Sequence, residues 1–146
     1  MNARGERRQA TLAHEAALQM QYAVEIGGQS PAEVERWHAE SQPLTPPVRA
    51  AAAALVGELA GQRERVESLI ARHAVGWRLE RMTAVDRSIL MLAVAELLRG
   101  ATGAAAAVEA ALALARKYSQ PDAVGFVHAI LDAIAGDLAG AAKPAR

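Results

Sequence analysis

The chain has 146 residues, a length that predicts one domain, spanning 1–146, with room for a hydrophobic core. Its 16 basic and 16 acidic residues give a formal net charge of zero, which argues against a uniformly basic nucleic-acid-binding protein but permits a local basic patch. Cysteine is absent, which excludes disulfides, thiolate metal ligands and cysteine nucleophiles.

Aromatic residues make up 3% of the chain, so its core must be built from Leu, Val, Ile, Met and Ala. Alanine has the highest helix propensity, and no stretch alternates between apolar and polar residues with period two. We therefore expect an all-α fold, a compact bundle of six to seven helices. The chain begins with polar residues, and its longest apolar run, Ile89 to Ala95, is too short to span a bilayer. These features predict a soluble cytoplasmic protein that contacts no membrane.

Residues 1–8 are predicted to form a basic flexible arm. Its three cations are Arg4, Arg7 and Arg8. A first helix is expected from about Gln9 to Ile26, because alanines recur along one face and Gly27-Gly28 can end it.

Two proline-containing motifs predict the next two helix starts. In Ser30-Pro31-Ala32-Glu33, Ser30 can cap the helix and Glu33 can complete a capping box; this second helix should end before Ser41. Thr45-Pro46-Pro47 begins a third helix in the same way, and the apolar pattern predicts that it continues to roughly His73.

The central prediction is a helix from Thr83, which can cap it, to about Arg99, preceded by a short turn around Leu79–Met82. This helix is apolar on most faces, which is typical of a helix in the middle of a bundle. A further helix is expected over Ala104 to Tyr118. The last helix follows Ser119–Asp122 and should end near Leu138, leaving 139–146 as a frayed tail.

No arrangement of residues predicts catalysis, a bound metal or a cofactor. Glu35-x-x-His38 matches one half of a di-iron motif, but the second half is missing. Asp86-Arg87 is better explained by a carboxylate at a helix N-terminus than by a catalytic pair. We therefore expect a binding protein rather than an enzyme.

The basic residues near the N-terminus are the main sign of nucleic-acid binding, since Arg4, Arg7 and Arg8 can contact phosphates. Lys117 and Tyr118 could extend such a patch with a cation and a stacking ring. The alternative is an ordinary solvated tail for the arginines. For Lys117 the alternative is a cation at a helix C-terminus, and for Tyr118 a ring lying against the core.

Three blocks, in the same order along the chain, resemble one known family. The first holds Glu15 and Tyr22; the second runs from Trp77 through Val85-Asp86-Arg87 to Leu98; the third covers 112–135. In the third block the matched positions are Leu114, Ala115, Arg116, Lys117, Tyr118, Asp122, Phe126, Val127, Leu131 and Asp132. Together they resemble the NusB family of bacterial transcription antitermination factors.

The resemblance implies an α-helical protein in two three-helix halves. It implies binding of the box A RNA of ribosomal operons together with the small-subunit ribosomal protein that acts as NusE, and thereby an indirect action on the RNA polymerase elongation complex. The RNA-binding residues it implies, taken with the basic residues above, are Arg4, Arg7, Arg8, Tyr22, Lys117, Asp122 and Phe126. The partner-binding residues it implies are Asp86 and Phe126.

The chain departs from the family pattern on the expected RNA-binding face. Ala10, Thr11 and Leu12 stand where the family has arginines, and His128-Ala129 replaces an Asn-Gly pair. We therefore expect weak RNA binding by the protein alone. One alternative is a helical protein-interaction module of the same fold that has lost most RNA binding. The other is a ribosomal-RNA processing accessory, related to the N-terminal domain of rRNA cytosine methyltransferases.

Overall fold

The computed structural model describes residues 2–76 and 78–142, and these ranges form seven α-helices and one short 3-10 helix, with no strand. The α-helices are α1 Ala3–Gly27, α2 Pro31–Ser41, α3 Pro46–Gly61, α4 Arg63–His73, α5 Ala84–Arg99, α6 Ala104–Tyr118 and α7 Pro121–Ala142. The 3-10 helix covers Leu79–Arg81. The all-α prediction is confirmed. Trp77 and residues 143–146 of the predicted tail lie outside the described residues.

Helix α5 forms the centre of the molecule, as its apolar sequence predicts. Every side chain from Ser88 to Glu96 is buried. The helix packs against α1, α3, α4, α6 and α7. Thr83 caps it by accepting a hydrogen bond from the backbone N–H of Asp86 at 3.1 Å. The predicted cap and the predicted position of this helix are both confirmed.

The bundle has an N-terminal half, α1–α3, and a C-terminal half, α4–α7. The second half contains four helices rather than three because the predicted third helix is divided at Gln62. Gln62 has φ −126° and ψ 20°, outside the helical region, and its N–H bonds to the carbonyls of both Glu58 and Leu59. Gly61 weakens the helix at this point, and Arg63 then begins α4 in a direction that reaches Glu25 of α1.

Helix α1 begins at Ala3, so the prediction of a flexible arm over residues 1–8 was wrong for Ala3 to Arg8. Asn2 is the N-cap, because its Oδ1 accepts a hydrogen bond from the N–H of Gly5 at 2.8 Å. Glu6 lies in the first turn, where the helix dipole favours a negative charge. The basic residues of this segment are therefore presented on a helix. Helix α7 likewise extends past Leu138 to Ala142.

Helix α7 has the length and composition of a membrane span, with a mean hydropathy of 1.4 over Pro121–Ala141. Its apolar side chains Val127, Leu131 and Ile134 are fully buried in the bundle core. Its outer face carries exposed His128 and Asp132, which a hydrocarbon layer would not accommodate. The apolar inner face of α7 therefore packs against α4, α5 and α6.

The predicted capping box at the start of α2 is formed in full. The backbone N–H of Glu33 donates to Ser30 Oγ at 3.2 Å, and the N–H of Ser30 donates to Glu33 Oε1 at 3.3 Å. Thr45 occupies the same position before α3, but its side chain makes no capping hydrogen bond.

Replacing Ser30 by Ala should lower the free energy of unfolding by about 1 kcal/mol, because α2 then loses the acceptor for an N-terminal N–H group. Thr45→Ala is the matched control and should change it by less than about 0.5 kcal/mol, the usual range for neutral surface changes. Urea denaturation of the two variants measures the difference. Equal losses would show that the capping box does not stabilise α2.

Candidate nucleic-acid interface

Two helices meet at a sharp corner formed by residues 117–122, which we call the α6–α7 corner. Helix α6 ends at Tyr118, and Ser119 is extended, with φ −101° and ψ 171°. Pro121 can begin a helix but cannot continue one from Gln120, so it starts α7 at the first position after the corner. The corner therefore exposes the last turn of α6 beside the first turn of α7.

Glu15 of α1 holds the α6 side of this corner. Its Oε2 accepts hydrogen bonds from Lys117 Nζ at 2.8 Å and from the Tyr118 hydroxyl at 2.5 Å. These bonds, first of all that from Lys117, lower the pKa of Glu15. The same carboxylate raises the pKa of Lys117 and of Tyr118. At neutral pH, Glu15 is thus a carboxylate with two donors on one oxygen.

Asp86 links the first turn of α5 to the same corner. Its Oδ1 accepts a hydrogen bond from Ser119 Oγ at 2.5 Å, while its backbone N–H is bound by Thr83. Arg87, the next residue, turns away and pairs with Glu25 at 3.0 Å. Asp86 and Arg87 therefore bind different partners, and Asp86 links α5 to Ser119 in addition to placing a negative charge at its helix N-terminus.

The three N-terminal arginines lie exposed on the first turns of α1. Arg7 lines a groove of about 610 Å³ between α1 and α6, and Lys117 lines the same groove. Arg8 lies seven residues before Glu15, or about two helical turns, and so shares a face of α1 with it. The structure thus places two of the predicted cations, Arg7 and Lys117, on one continuous surface.

The other predicted site residues lie around this surface and differ in how exposed their side chains are. Asp122 is exposed in the first turn of α7. Phe126 lies one turn later, half-buried against the core. Tyr22 is 38% exposed on α1, about two turns beyond Glu15. The structure groups Asp122 with the corner, while Tyr22 extends the surface along α1.

Comparison with known proteins places this fold. A family model described as the NusB family matches residues 11–136. The transcription antitermination protein NusB of Koribacter versatilis is 38% identical over 126 residues, which cover 85% of this chain and 86% of that protein. The chain belongs to the NusB family.

Two further members of the NusB family bear on the site. The transcription antitermination protein NusB of Solibacter usitatus is 54% identical over 69 residues, covering 47% of each chain. A crystal structure of the antitermination factors NusB and NusE in complex with dsRNA matches with a TM-score of 0.81 at 25% identity, covering 89% of this chain and 98% of that chain.

Two of the departures from the NusB family pattern lie in the groove between α1 and α6, while His128 and Ala129 lie on α7. Ala10 and Thr11 line the groove, and Leu12 is 37% exposed beside it. The cations that remain on this surface are therefore at its edges, at Arg7 and Lys117. The sequence predicted that the RNA-binding face has fewer basic residues than in the family. In the structure this face is a largely apolar groove lined by Arg7 and Lys117.

Sequence reasoning did not predict the pair of His14 and Glu96 beneath this groove. His14 Nε2 lies 2.8 Å from Glu96 Oε2, and His14 Nδ1 lies 2.7 Å from the carbonyl oxygen of Ala10. Both ring nitrogens face acceptors, an arrangement that favours the doubly protonated imidazolium form of His14. The bond to Glu96 raises the pKa of His14, and burial opposes it. One signal was present in the sequence: a glutamate inside an otherwise apolar helix requires a partner.

The two residues of the half-motif Glu35-x-x-His38 have different surroundings. Glu35 is exposed, whereas His38 is buried and bonds through Nε2 to Gln19 Oε1 at 2.7 Å. Over the described ranges 2–76 and 78–142, no group of three or more His, Cys, Asp or Glu residues is placed to hold a metal ion.

Proposed function

We propose that this protein is a cytoplasmic transcription antitermination factor that binds box A RNA together with a NusE-type ribosomal protein, and through that complex acts on RNA polymerase. The observation that carries the proposal is the surface joining α1 to the α6–α7 corner, where Arg7 and Lys117 line one groove. Family membership supports it, as does the similarity to the NusB that was solved with NusE and RNA.

RNA would contact the protein along the exposed side of α1 and across the corner. Arg4, Arg7 and Arg8 supply positive charge for phosphates at the start of α1. Lys117 adds a cation at the end of α6, and the exposed ring of Tyr22 can stack on an unpaired base. Asp122, at the N-terminus of α7, would border this path as a hydrogen-bond acceptor.

The partner protein would bind beside the RNA at Asp86 and Phe126. Asp86 is half-buried and accepts a hydrogen bond from Ser119 of the corner. A partner that contacts Asp86 would therefore also affect the position of the corner. Phe126 is half-buried, and aromatic residues are enriched among those that contribute most to binding energy at interfaces. Both residues border the corner that carries Lys117, so RNA and protein partner would occupy adjoining surfaces.

Changing Arg4, Arg7 and Arg8 together to Gln should weaken RNA binding and flatten its salt dependence. Each phosphate contact to single-stranded RNA contributes a slope of about 0.7 in log K against log salt, so three contacts contribute about 2. Fluorescence anisotropy with labelled box A RNA, with and without the NusE-type protein, measures both quantities.

The control for this experiment changes three exposed arginines on other helices, Arg36, Arg65 and Arg72, to Gln, with the same loss of charge. It should leave the slope within about 0.5 of the wild-type value, because these residues would contact no phosphate. Equal effects from both variants would show that RNA binding depends only on the net charge of the protein. Binding of the NusE-type protein without any binding of RNA would instead favour an interaction module of the same fold.

A further inference from the structure

Glu15 holds a cation and a hydroxyl that the proposed function places on the path of RNA. We propose that the Glu15 carboxylate occupies, in the free protein, the place of an RNA phosphate, and that RNA binding transfers Lys117 and Tyr118 from Glu15 to that phosphate. The inference rests on the proposed function and deepens it. It makes Glu15 a residue that sets RNA affinity by competing for the same donors.

The geometry at Glu15 is that of an anion held in a small site. Lys117 Nζ and the Tyr118 hydroxyl converge on a single oxygen, Oε2, at 2.8 and 2.5 Å. A phosphate oxygen accepts the same combination of an ammonium and a hydroxyl donor. The Lys117 ammonium also lies 5.4 Å from the centroid of the Tyr118 ring, so the two donors form one unit. The corner thus presents a site built for one negatively charged oxygen.

The two donors are more exposed than the carboxylate that they bind. The Lys117 side chain is 60% exposed, while the Glu15 side chain is 19% exposed. Glu15 is fixed on a helix that is capped at both ends, while the Lys117 side chain ends four methylenes from the backbone and can turn outward. A lysine–carboxylate pair whose lysine is exposed is weak, so a phosphodiester, which shares one negative charge between two oxygens, can replace the carboxylate.

The charges around Glu15 favour a phosphate once Lys117 turns outward. Arg8 shares the α1 face of Glu15, and Arg7 lines the adjoining groove with Lys117. Of the acidic groups in this groove, Glu96 is paired with His14, and Glu109 is paired with Arg116 at 2.9 Å. Glu15 is therefore the carboxylate that holds a donor assigned to RNA, which singles it out for substitution.

Glu15→Gln tests the exchange in the full chain, with fluorescein-labelled single-stranded box A RNA as the probe. Removing the competing charge should tighten binding about fivefold, the size expected for one unit charge a few ångströms away in water. Glu67→Gln is the matched control, since it removes a carboxylate paired with Arg63 at 2.9 Å on α4. We expect its dissociation constant to stay within about twofold of wild type, as for a charge beyond the Debye length.

The same substitution in a Lys117→Met variant tests whether the gain depends on Lys117. In the Lys117→Met variant, Glu15→Gln should give no more than a small gain, because the donor whose release strengthens binding is absent. Glu15→Asp withdraws the carboxylate by one methylene and should tighten binding by an intermediate amount. Far-ultraviolet circular dichroism and thermal unfolding establish that each variant is folded.

The possible results separate this inference from the proposed function. If folded Glu15→Gln binds the RNA as weakly as wild type, or more weakly, the exchange is wrong while RNA binding stands. An equal gain in the wild-type and Lys117→Met backgrounds would also overturn it, since the effect would then be long-range charge. If wild-type protein binds no RNA with or without the NusE-type protein, the proposed function fails, and the exchange fails with it.

Discussion

Leu92→Ala should lower the free energy of unfolding by about 2–5 kcal/mol, the range for removing a large side chain from a protein core. Leu92 lies on the central helix α5 and is 5% exposed. It lines a small internal cavity together with residues from different helices, among them Leu55 of α3 and Leu114 of α6. Because several helices meet here, the bundle cannot close over the lost methyl groups without disturbing other contacts.

Chemical denaturation of Leu92→Ala beside Leu12→Ala measures this effect with a matched control. Leu12 is 37% exposed on α1, so its truncation removes little packing and should change the free energy of unfolding by less than about 1 kcal/mol. A loss for Leu92→Ala that does not exceed the control would mean that α5 is not the packing centre. The assignment of its buried face would then have to be abandoned.

Local signals in the sequence predicted most helix boundaries. The caps at Ser30 and Thr83 act within three residues of themselves, so their sequence carries all the information that is needed. The break at Gln62 was missed because Gly61 alone is a weak signal and the contact that accompanies the break is distant. Arg63 donates from Nη1 to Glu25 Oε2 at 2.6 Å across a separation of 38 residues, and no periodicity in α3 or α4 reveals that contact.

The site shows the same division between local and distant information. Lys117 and Tyr118 were identified from their own positions at the end of a helix. Glu15, which accepts hydrogen bonds from both, lies 102 residues before Lys117. Only the packing of α1 beside α6 brings these side chains together. The tie between Asp86 and Ser119 spans 33 residues in the same way. Sequence could indicate which residues carry charge or a ring, but not which carboxylate engages them.

The interior charge cluster around Glu25 provides the second large expected effect. The Glu25 side chain is 4% exposed and accepts hydrogen bonds from Arg63, Arg87 and Gln21. Arg87 also donates to the carbonyl oxygen of Met82 at 3.2 Å. The cluster therefore joins the end of α1, the start of α4 and the first turn of α5, next to Asp86 of the candidate interface.

Glu25→Gln should lower the free energy of unfolding by about 2 kcal/mol at neutral pH, because it removes the buried counter-charge of Arg87, which is 18% exposed, and one of the two counter-charges of Arg63. Glu67→Gln is the matched control, since Glu67 pairs with the same Arg63 at 2.9 Å but is 40% exposed. The control should change the free energy of unfolding by less than about 0.5 kcal/mol. Urea denaturation at pH 7 measures both variants, and equal effects would show that the cluster adds no stability.

The pH dependence of unfolding provides an independent measurement of the same cluster. Burial alone would raise the pKa of Glu25 above its ordinary 4.5, but the bonds from Arg63 and Arg87 outweigh burial and lower it. A carboxyl with a lowered folded-state pKa stabilises the fold above its unfolded-state pKa, and that stability is lost as pH falls through the folded-state value. Wild type should therefore lose stability faster than Glu25→Gln as the pH is lowered below about 4.5, so the two curves converge. Curves that stay parallel down to the acid limit would show that Glu25 is not held ionised by the two arginines.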